Sequence, residues 1–266
     1  MVLETEHPLA DLQNSADPRG IDITKVGIRK LRYPIALATR DNGPQETVAS
    51  VNMYVSLDRN FKGTHMSRFV EVLNEHRRAL DIHDLRRLLT HVKDSLNAAD
   101  AYIELSFPFF VDRAAPATGQ QGLVVYDCRV CADMDMVGRV HTRFGVTVPV
   151  TTLCPCSKEI SARGAHNQRS MVSVQWRCRE SIWLEDMIEL VEGQGSAPIF
   201  SLLKRPDEKW VTERAYDNPK FVEDVVRDIT AALRADQRIT WFRVESENEE
   251  SIHTHNAYAL IEEDKG

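Results

Sequence analysis

Two short stretches concentrate the reactive side chains of this chain. Residues 151–170, Thr-Thr-Leu-Cys-Pro-Cys-Ser-Lys-Glu-Ile-Ser-Ala-Arg-Gly-Ala-His-Asn-Gln-Arg-Ser, separate two alternating apolar segments and are too long and too polar for a simple turn. Within them Cys154 and His166 are a thiolate and an imidazole, both good donors to Zn, Fe and similar divalent ions. Two such ligands need a third. The second stretch holds Glu245, Glu247, Glu249, Glu250, His253 and His255, and reads as a loop between the last two strands. Carboxylates beside histidines suit general acid and base catalysis near neutral pH. A run of glutamates is more often a solvated loop, so this stretch does not identify a site by itself.

The other cysteines are less promising. Cys128 and Cys131 form C-x-x-C inside a strand pattern, where positions three apart face opposite sides and cannot easily grip one ion. Cys178 falls on the apolar face of its strand and is expected in the core. Cys154 and Cys156 remain as the reactive candidates.

The elements that must position these groups follow from periodicity. Residues 26–40 and 46–57 are rich in Val, Ile, Leu and Tyr and flank Asp41-Asn42-Gly43, a hairpin signal. Helical spacing follows in Met66, Phe69, Val70 and Leu73, then in Leu85, Leu88, Leu89, Val92 and Leu96 behind an expected Asp81 cap. Clean alternation through Ala101, Ile103, Leu105, Phe107 and Phe109 predicts a strand, and 123–130 another. The order recurs with strands around Val140–Val150 and Val172–Cys178. Helices follow at Leu184–Val191 and from an expected Asn218-Pro219 start to Leu233, then strands at 238–246 and 255–262. The reading is an α+β chain of two tandem ββααββ modules, two antiparallel sheets each with a helix pair on one face. We expect an arm at 1–22, a first module at 23–136 and a second at 137–266. Open sheets leave edges, so side-by-side assembly into a closed barrel is expected.

Composition excludes several classes. The chain of 266 residues carries 33 Lys and Arg against 40 Asp and Glu, a formal charge of -7, which argues against nucleic-acid binding. It has no apolar run of membrane-spanning length and no signal-peptide pattern, and its five cysteines are an odd number. A cytoplasmic protein with reduced thiols and no membrane or nucleic-acid partner is expected.

The segments Leu-Cys-Pro-Cys-Ser-Lys-Glu-Ile-Ser (153–161) and Gly-Ala-His-Asn-Gln-Arg-Ser (164–170) resemble the signature of the type IB GTP cyclohydrolases. Supporting matches are Lys62-Gly63-Thr64-His65-Met66-Ser67-Arg68-Phe69, the run from Asn218-Pro219 through Phe221-Val222-Glu223-Asp224, and Glu250-Ser251-Ile252-His253-Thr254-His255-Asn256-Ala257. The resemblance implies a tunnelling fold of ββααββ modules that assemble into barrels, with active sites where subunits meet and a tetramer as the expected assembly. It implies hydrolysis of GTP to 7,8-dihydroneopterin triphosphate and formate, the first step of tetrahydrofolate biosynthesis, with one divalent metal ion (Mn, Zn or Fe(II)) per site. By position it makes Cys154, His166 and Glu208 the metal-site residues, Glu223 the anchor of the guanine base, and Glu250 and His253 the proton-transfer groups. Lys62, His65, Arg68, Lys158 and Arg169 are candidates for the triphosphate, since clustered cations can bind it despite an acidic whole. Glu223 could equally be an exposed helix residue. Two rivals stay open here: an archaeal-type enzyme with a cyclic phosphate product, and a non-catalytic barrel that binds purines or pterins.

Overall fold

In the computed structural model, which describes residues 11–78 and 80–266, alternation and helical spacing become elements much as the pattern requires. The first half runs β1 (Ile23–Leu37), β2 (Gln45–Leu57), α1 (Met66–His76), α2 (Arg86–Leu96), β3 (Ala101–Ala114) and β4 (Gln121–Met134). The second half repeats the order as β5 (Val140–Leu153), β6 (Asn167–Cys178), α4 (Leu184–Gln194), α6 (Val222–Ala235), β8 (Ile239–Glu249) and β9 (Ala257–Asp264). Into it are inserted α3 (Pro155–Ile160), the two-residue strand β7 (Ala197–Pro198) and α5 (Arg205–Asp217).

The two expected sheets are one. β4 pairs antiparallel with β5, from Met134↔Val140 to Asp127↔Thr147, and joins the half-sheets into a continuous order β1-β2-β3-β4-β5-β6-β8-β9. The reason is local: Gly138, at φ 82, turns the chain after β4 so that β5 folds straight back on it. The core lies between this sheet and the helices. Ile103, Leu105, Phe107 and Phe109 of β3 point into it, as do Val146, Val148 and Val150 of β5 and Phe69, Leu73, Leu89, Ile188 and Ile229 of the helices. Trp176 stacks on Phe144 with ring centroids 5.6 Å apart, closing the core where the halves meet.

Other expectations need correction. Asp81 does not cap α2; its Oδ1 accepts from the His83 backbone N–H at 2.8 Å in a preceding turn, and the helix begins at Arg86. Asn218 does not start α6. It ends α5, and its amide donates to the carbonyls of Gly195 and Ser196, while α6 begins at Val222. The helix α5 was not anticipated because it has almost no apolar stripe; of its thirteen residues only Asp207 and Ala215 are buried. Cys178 is half-buried at the edge of the core rather than within it. The expected arm lies partly outside the described residues; its part from Asp11 on is bonded to the 58–65 segment, through Lys62 N–H to Ser15 O and Gly63 N–H to Gln13 O.

Candidate active site

Cys154 stands where β5 ends and α3 begins. Proline in the first helical position starts α3, and the Cys154 sulfur accepts from the Ser157 N–H at 3.5 Å. The same serine ties the other donor in place: its hydroxyl accepts from the backbone N–H of His166 and donates to the carbonyl of Cys154. The Cys154 N–H also bonds to the His166 carbonyl. The insert between β5 and β6 is thus a closed loop that holds the thiol and the imidazole at its neck.

His166 is oriented through one ring nitrogen. Its Nδ1 lies 3.1 Å from Gln168 Oε1 and 3.9 Å from Glu250 Oε2. Both neighbours are acceptors, so the proton sits on Nδ1 and the Nε2 lone pair is left for a ligand, as in metal sites whose histidines are held by an outer acceptor.

Cys154 and His166 line one cleft of about 280 Å³ together with Gln168, Lys220, Phe221, Val222, Glu223, Asn248, Glu250, His253, His255 and Ala257. Three segments remote in sequence meet here: the β5–β6 insert with the start of β6, the first turn of α6 with the residues just before it, and the end of β8 with the β8–β9 connection. Glu250 is nearly enclosed, with a side chain 9% exposed against His166, whereas His253 and His255 stack on each other at 5.1 Å on an exposed loop. Glu223 stands in the first turn of α6. A larger hollow of about 450 Å³ lies on the helix-free face of the sheet, among Ser50, Ser106, Arg129 and Gln175, but it lacks this pairing of thiol, imidazole and carboxylate.

The expected glutamate loop is mostly strand. β8 runs to Glu249, so Glu245 and Glu247 point to the face opposite the cleft, where they accept from Arg243 and Tyr258, and from Asn256. Only Glu250, His253 and His255 of that stretch reach the site. Cys156 is exposed beside Cys154 but does not line the cleft.

Six expected site residues stay outside it within one chain. Lys62, His65 and Arg68 belong to the first half: His65 lies 3.3 Å from Asp11, and Arg68 donates to the Ser95 carbonyl. Lys158 donates to the Tyr216 carbonyl and sits over that ring. Arg169 borders a neighbouring groove with Phe200, Leu203 and Val211. Glu208 does not line the cleft either, and among the described residues no three His, Cys, Asp or Glu side chains are already set as a metal cage. Val211 of α5 lines the adjoining groove together with Asn167 and Gln168, the residues that follow His166. Glu208, one turn before Val211, is exposed on α5.

The first turn of α5 is itself clamped. Asp207 is fully buried, and accepts from the N–H of Lys204, Ala117 and Thr118 and from the Thr118 hydroxyl, all at 2.8 to 2.9 Å. Burial alone would raise its carboxyl, but these hydrogen bonds outweigh it and hold the group at about 2. The β3–β4 hairpin of the first half thereby fixes the helix next to the site in the second.

A profile for type I GTP cyclohydrolase FolE2 matches residues 9–259. The chain is 51% identical to GTP cyclohydrolase FolE2 of Geotalea uraniireducens over 257 residues, covering 97% of this chain and 94% of that one. It is 53% identical to GTP cyclohydrolase FolE2 of Syntrophobacter fumaroxidans, again over 257 residues, 97% of this chain and 100% of that one. The chain belongs to the type I GTP cyclohydrolase FolE2 family. Membership makes it an enzyme, and removes the non-catalytic barrel from consideration. Among solved structures, uricase from Arthrobacter globiformis superposes with TM-score 0.55 at 11% identity, over 90% of this chain and 92% of that one. Urate oxidase from Bacillus subtilis 168 gives 0.54 at 8%, over 91% and 99%. At such identity the likeness concerns the fold alone, and the α+β tunnelling fold expected from the motifs is the fold of this FolE2 chain.

Gln168, Asn248 and Lys220 line the cleft without having been singled out for it. Signals existed for two of them. Asn248 follows Val244 and Ser246 on the helix-facing phase of β8, a polar residue at an inward position, and Gln168 sits two residues after His166.

Proposed function

We propose that the Cys154–His166 cleft is where this FolE2-family chain opens the guanine ring of GTP, yielding 7,8-dihydroneopterin triphosphate and formate for tetrahydrofolate biosynthesis. The observation that carries the reading is the convergence on one cleft of a thiol, an oriented imidazole, an enclosed carboxylate and a helix-borne glutamate. The IB subtype that the motifs resemble is part of this proposal, as is the division into an arm at 1–22 and modules at 23–136 and 137–266.

The donors present fit a divalent ion. Cys154 offers a thiolate and His166 an Nε2 lone pair, its Nδ1 already engaged, and Glu208, exposed on α5 one turn before Val211 of the adjoining groove, would complete the set once brought to them. This mixed set suits Mn, Zn or Fe(II). When bound, such an ion supplies water activation, lowering the pKa of the water that attacks C8 of guanine toward neutrality. Glu223 accepts from the ring N–H and exocyclic amine of guanine. Glu250 and His253 between them take the proton from the attacking water and return one to the ring nitrogen as the imidazole ring opens.

The triphosphate then extends out of a cleft too small to enclose the whole nucleotide. Lys220 is the cation already at its wall, paired to Asp228 at 2.5 Å. Lys62, His65, Arg68, Lys158 and Arg169 reach the substrate only from a neighbouring copy or after rearrangement. We assign them to it on that basis, with a homotetramer closed through the open edges of β1 and β9 and active sites at its interfaces. Apolar Ile23 on β1 and Tyr258 and Leu260 on β9 are exposed along these edges. No helix among the described residues is long and apolar enough to cross a membrane. With five free thiols, a cytoplasmic location without membrane or nucleic-acid partners completes the proposal.

The test is incubation of metal-stripped protein with GTP and Mn, Zn or Fe(II) in turn, measuring formate and the fluorescent neopterin obtained after oxidation. Both products with at least one metal support the reading, and a linear triphosphate on the product separates it from the archaeal-type cyclic phosphate. Unchanged turnover in Cys154→Ala would overturn the placement of the site.

A further inference from the structure

A buried polar row runs across three strands beneath the cleft. Thr152 of β5, Ser170 of β6 and Asn248 of β8 are 0%, 0% and 2% exposed, and are linked by Thr152 Oγ to Ser170 Oγ at 2.7 Å and Ser170 Oγ to Asn248 Oδ1 at 2.6 Å. Ser170 and Asn248 are directly paired in the β6–β8 register.

The direction of the row follows from proton accounting. Thr152 has no other side-chain partner among the described residues, so its hydroxyl proton needs Ser170 as acceptor. Ser170 must then donate onward to the Asn248 carbonyl oxygen. The opposite order would leave the Thr152 proton buried without an acceptor, which is the costly arrangement. The amide of Asn248 is therefore not free to flip. Its oxygen is committed to the protein, and its NH2, which has no acceptor among the described residues, is the polar group left for the cleft that Asn248 lines.

We propose that Asn248 is a specificity-determining residue that donates to the O6 carbonyl of guanine. The assignment rests on the reading that this cleft takes the base of GTP. Glu223 is an acceptor for the N1–H and the 2-amino group, and O6 is the acceptor adjacent to N1 on the same edge. An acceptor on α6 and a donor fixed on β8, both lining one cleft, match that edge. Adenine would present its 6-amino group, a donor, to the donor of Asn248, and that buried clash disfavours it more than a missing contact alone would. The threonine and serine beneath serve as the device that sets which end of the amide faces the substrate.

The test compares KM for GTP and the inhibition constant of ITP, which keeps O6 but lacks the 2-amino group, in the metal-loaded full-length protein. Asn248→Ala is expected to raise both by the same factor, roughly tenfold, with metal content unchanged. Asn248→Asp keeps the shape and the acceptor for Ser170 but turns an oxygen toward O6, so it should raise both further, and it covers the case in which the alanine variant folds poorly. Ser170→Ala, outside the cleft, should raise both by a smaller factor because the amide is then free to turn. Glu223→Gln, by contrast, should weaken GTP more than ITP. Unchanged constants in both Asn248 variants, with Glu223→Gln still impaired, would overturn the role of Asn248 alone. A GTP-only effect in the Asn248 variants would overturn the O6 assignment, and unchanged constants in all variants, Glu223→Gln included, would overturn the cleft as the base site.

Discussion

His166 Nδ1 and Gln168 Oε1 lie 3.1 Å apart, so the tautomer of the proposed metal-binding imidazole is set by a side chain two residues along the same strand edge. Gln168→Leu removes that acceptor without adding charge. We expect metal affinity to fall roughly 10- to 100-fold, as for other outer partners of ligating histidines, while the fold persists. Competition with a chelator of known affinity measures it, and wild-type affinity would mean that Glu250 alone orients the ring.

His166→Ala and Cys154→Ala each remove a first donor. Both should lose bound metal on purification, by elemental analysis, and with it formate release. Full occupancy in either variant would exclude that residue from the ligand set.

Thr118→Val deletes one hydrogen bond to buried Asp207 without touching the cleft. If α5 delivers Glu208 to the site, the variant should bind metal more weakly and keep its far-UV spectrum. Asp207 also carries a pH signature. Its folded pKa, about 2, is below the ordinary 3.8, so its contribution is present above the ordinary value and is lost as pH falls toward about 2. Asp207→Asn should flatten that part of the acid-unfolding curve, and an unaltered curve would remove the clamp from the account.

His83 should make the fold acid-sensitive at a milder pH. Burial against Phe144 and Trp183 holds its imidazole below the ordinary value, against the opposing pull of Asp81 and Glu185. The unfolded chain binds the proton more readily, so this stability is complete above about pH 6.5 and declines as pH falls toward the lower folded value. His83→Phe should reduce the difference between urea midpoints measured at about pH 7.5 and about pH 5.5, with equal differences in both proteins as the contrary result.

The amino-acid sequence by itself determined the elements and the local motif. Alternation in Ala101–Phe109 and helical spacing in Leu88, Leu89 and Val92 are properties of neighbours, so they survive any arrangement of the whole. Cys154 and His166 are likewise joined by a short insert that Ser157 closes. The weakly patterned α5 was not legible, because it is held by Asp207 and the β3–β4 hairpin rather than by an apolar stripe. The fusion of two half-sheets was not legible either.

Only the tertiary structure decided which remote side chains face the cleft. Ser170 and Asn248 are 78 residues apart and meet because β6 pairs with β8 in one particular register. Side chains alternate between faces along a strand, so a slip of one residue would turn Asn248 to the opposite face and replace it with a glutamate neighbour. No local pattern encodes that register. It is set by the fit of Val244, Phe242 and Val174 into a shared core, and the site inherits its geometry from that packing.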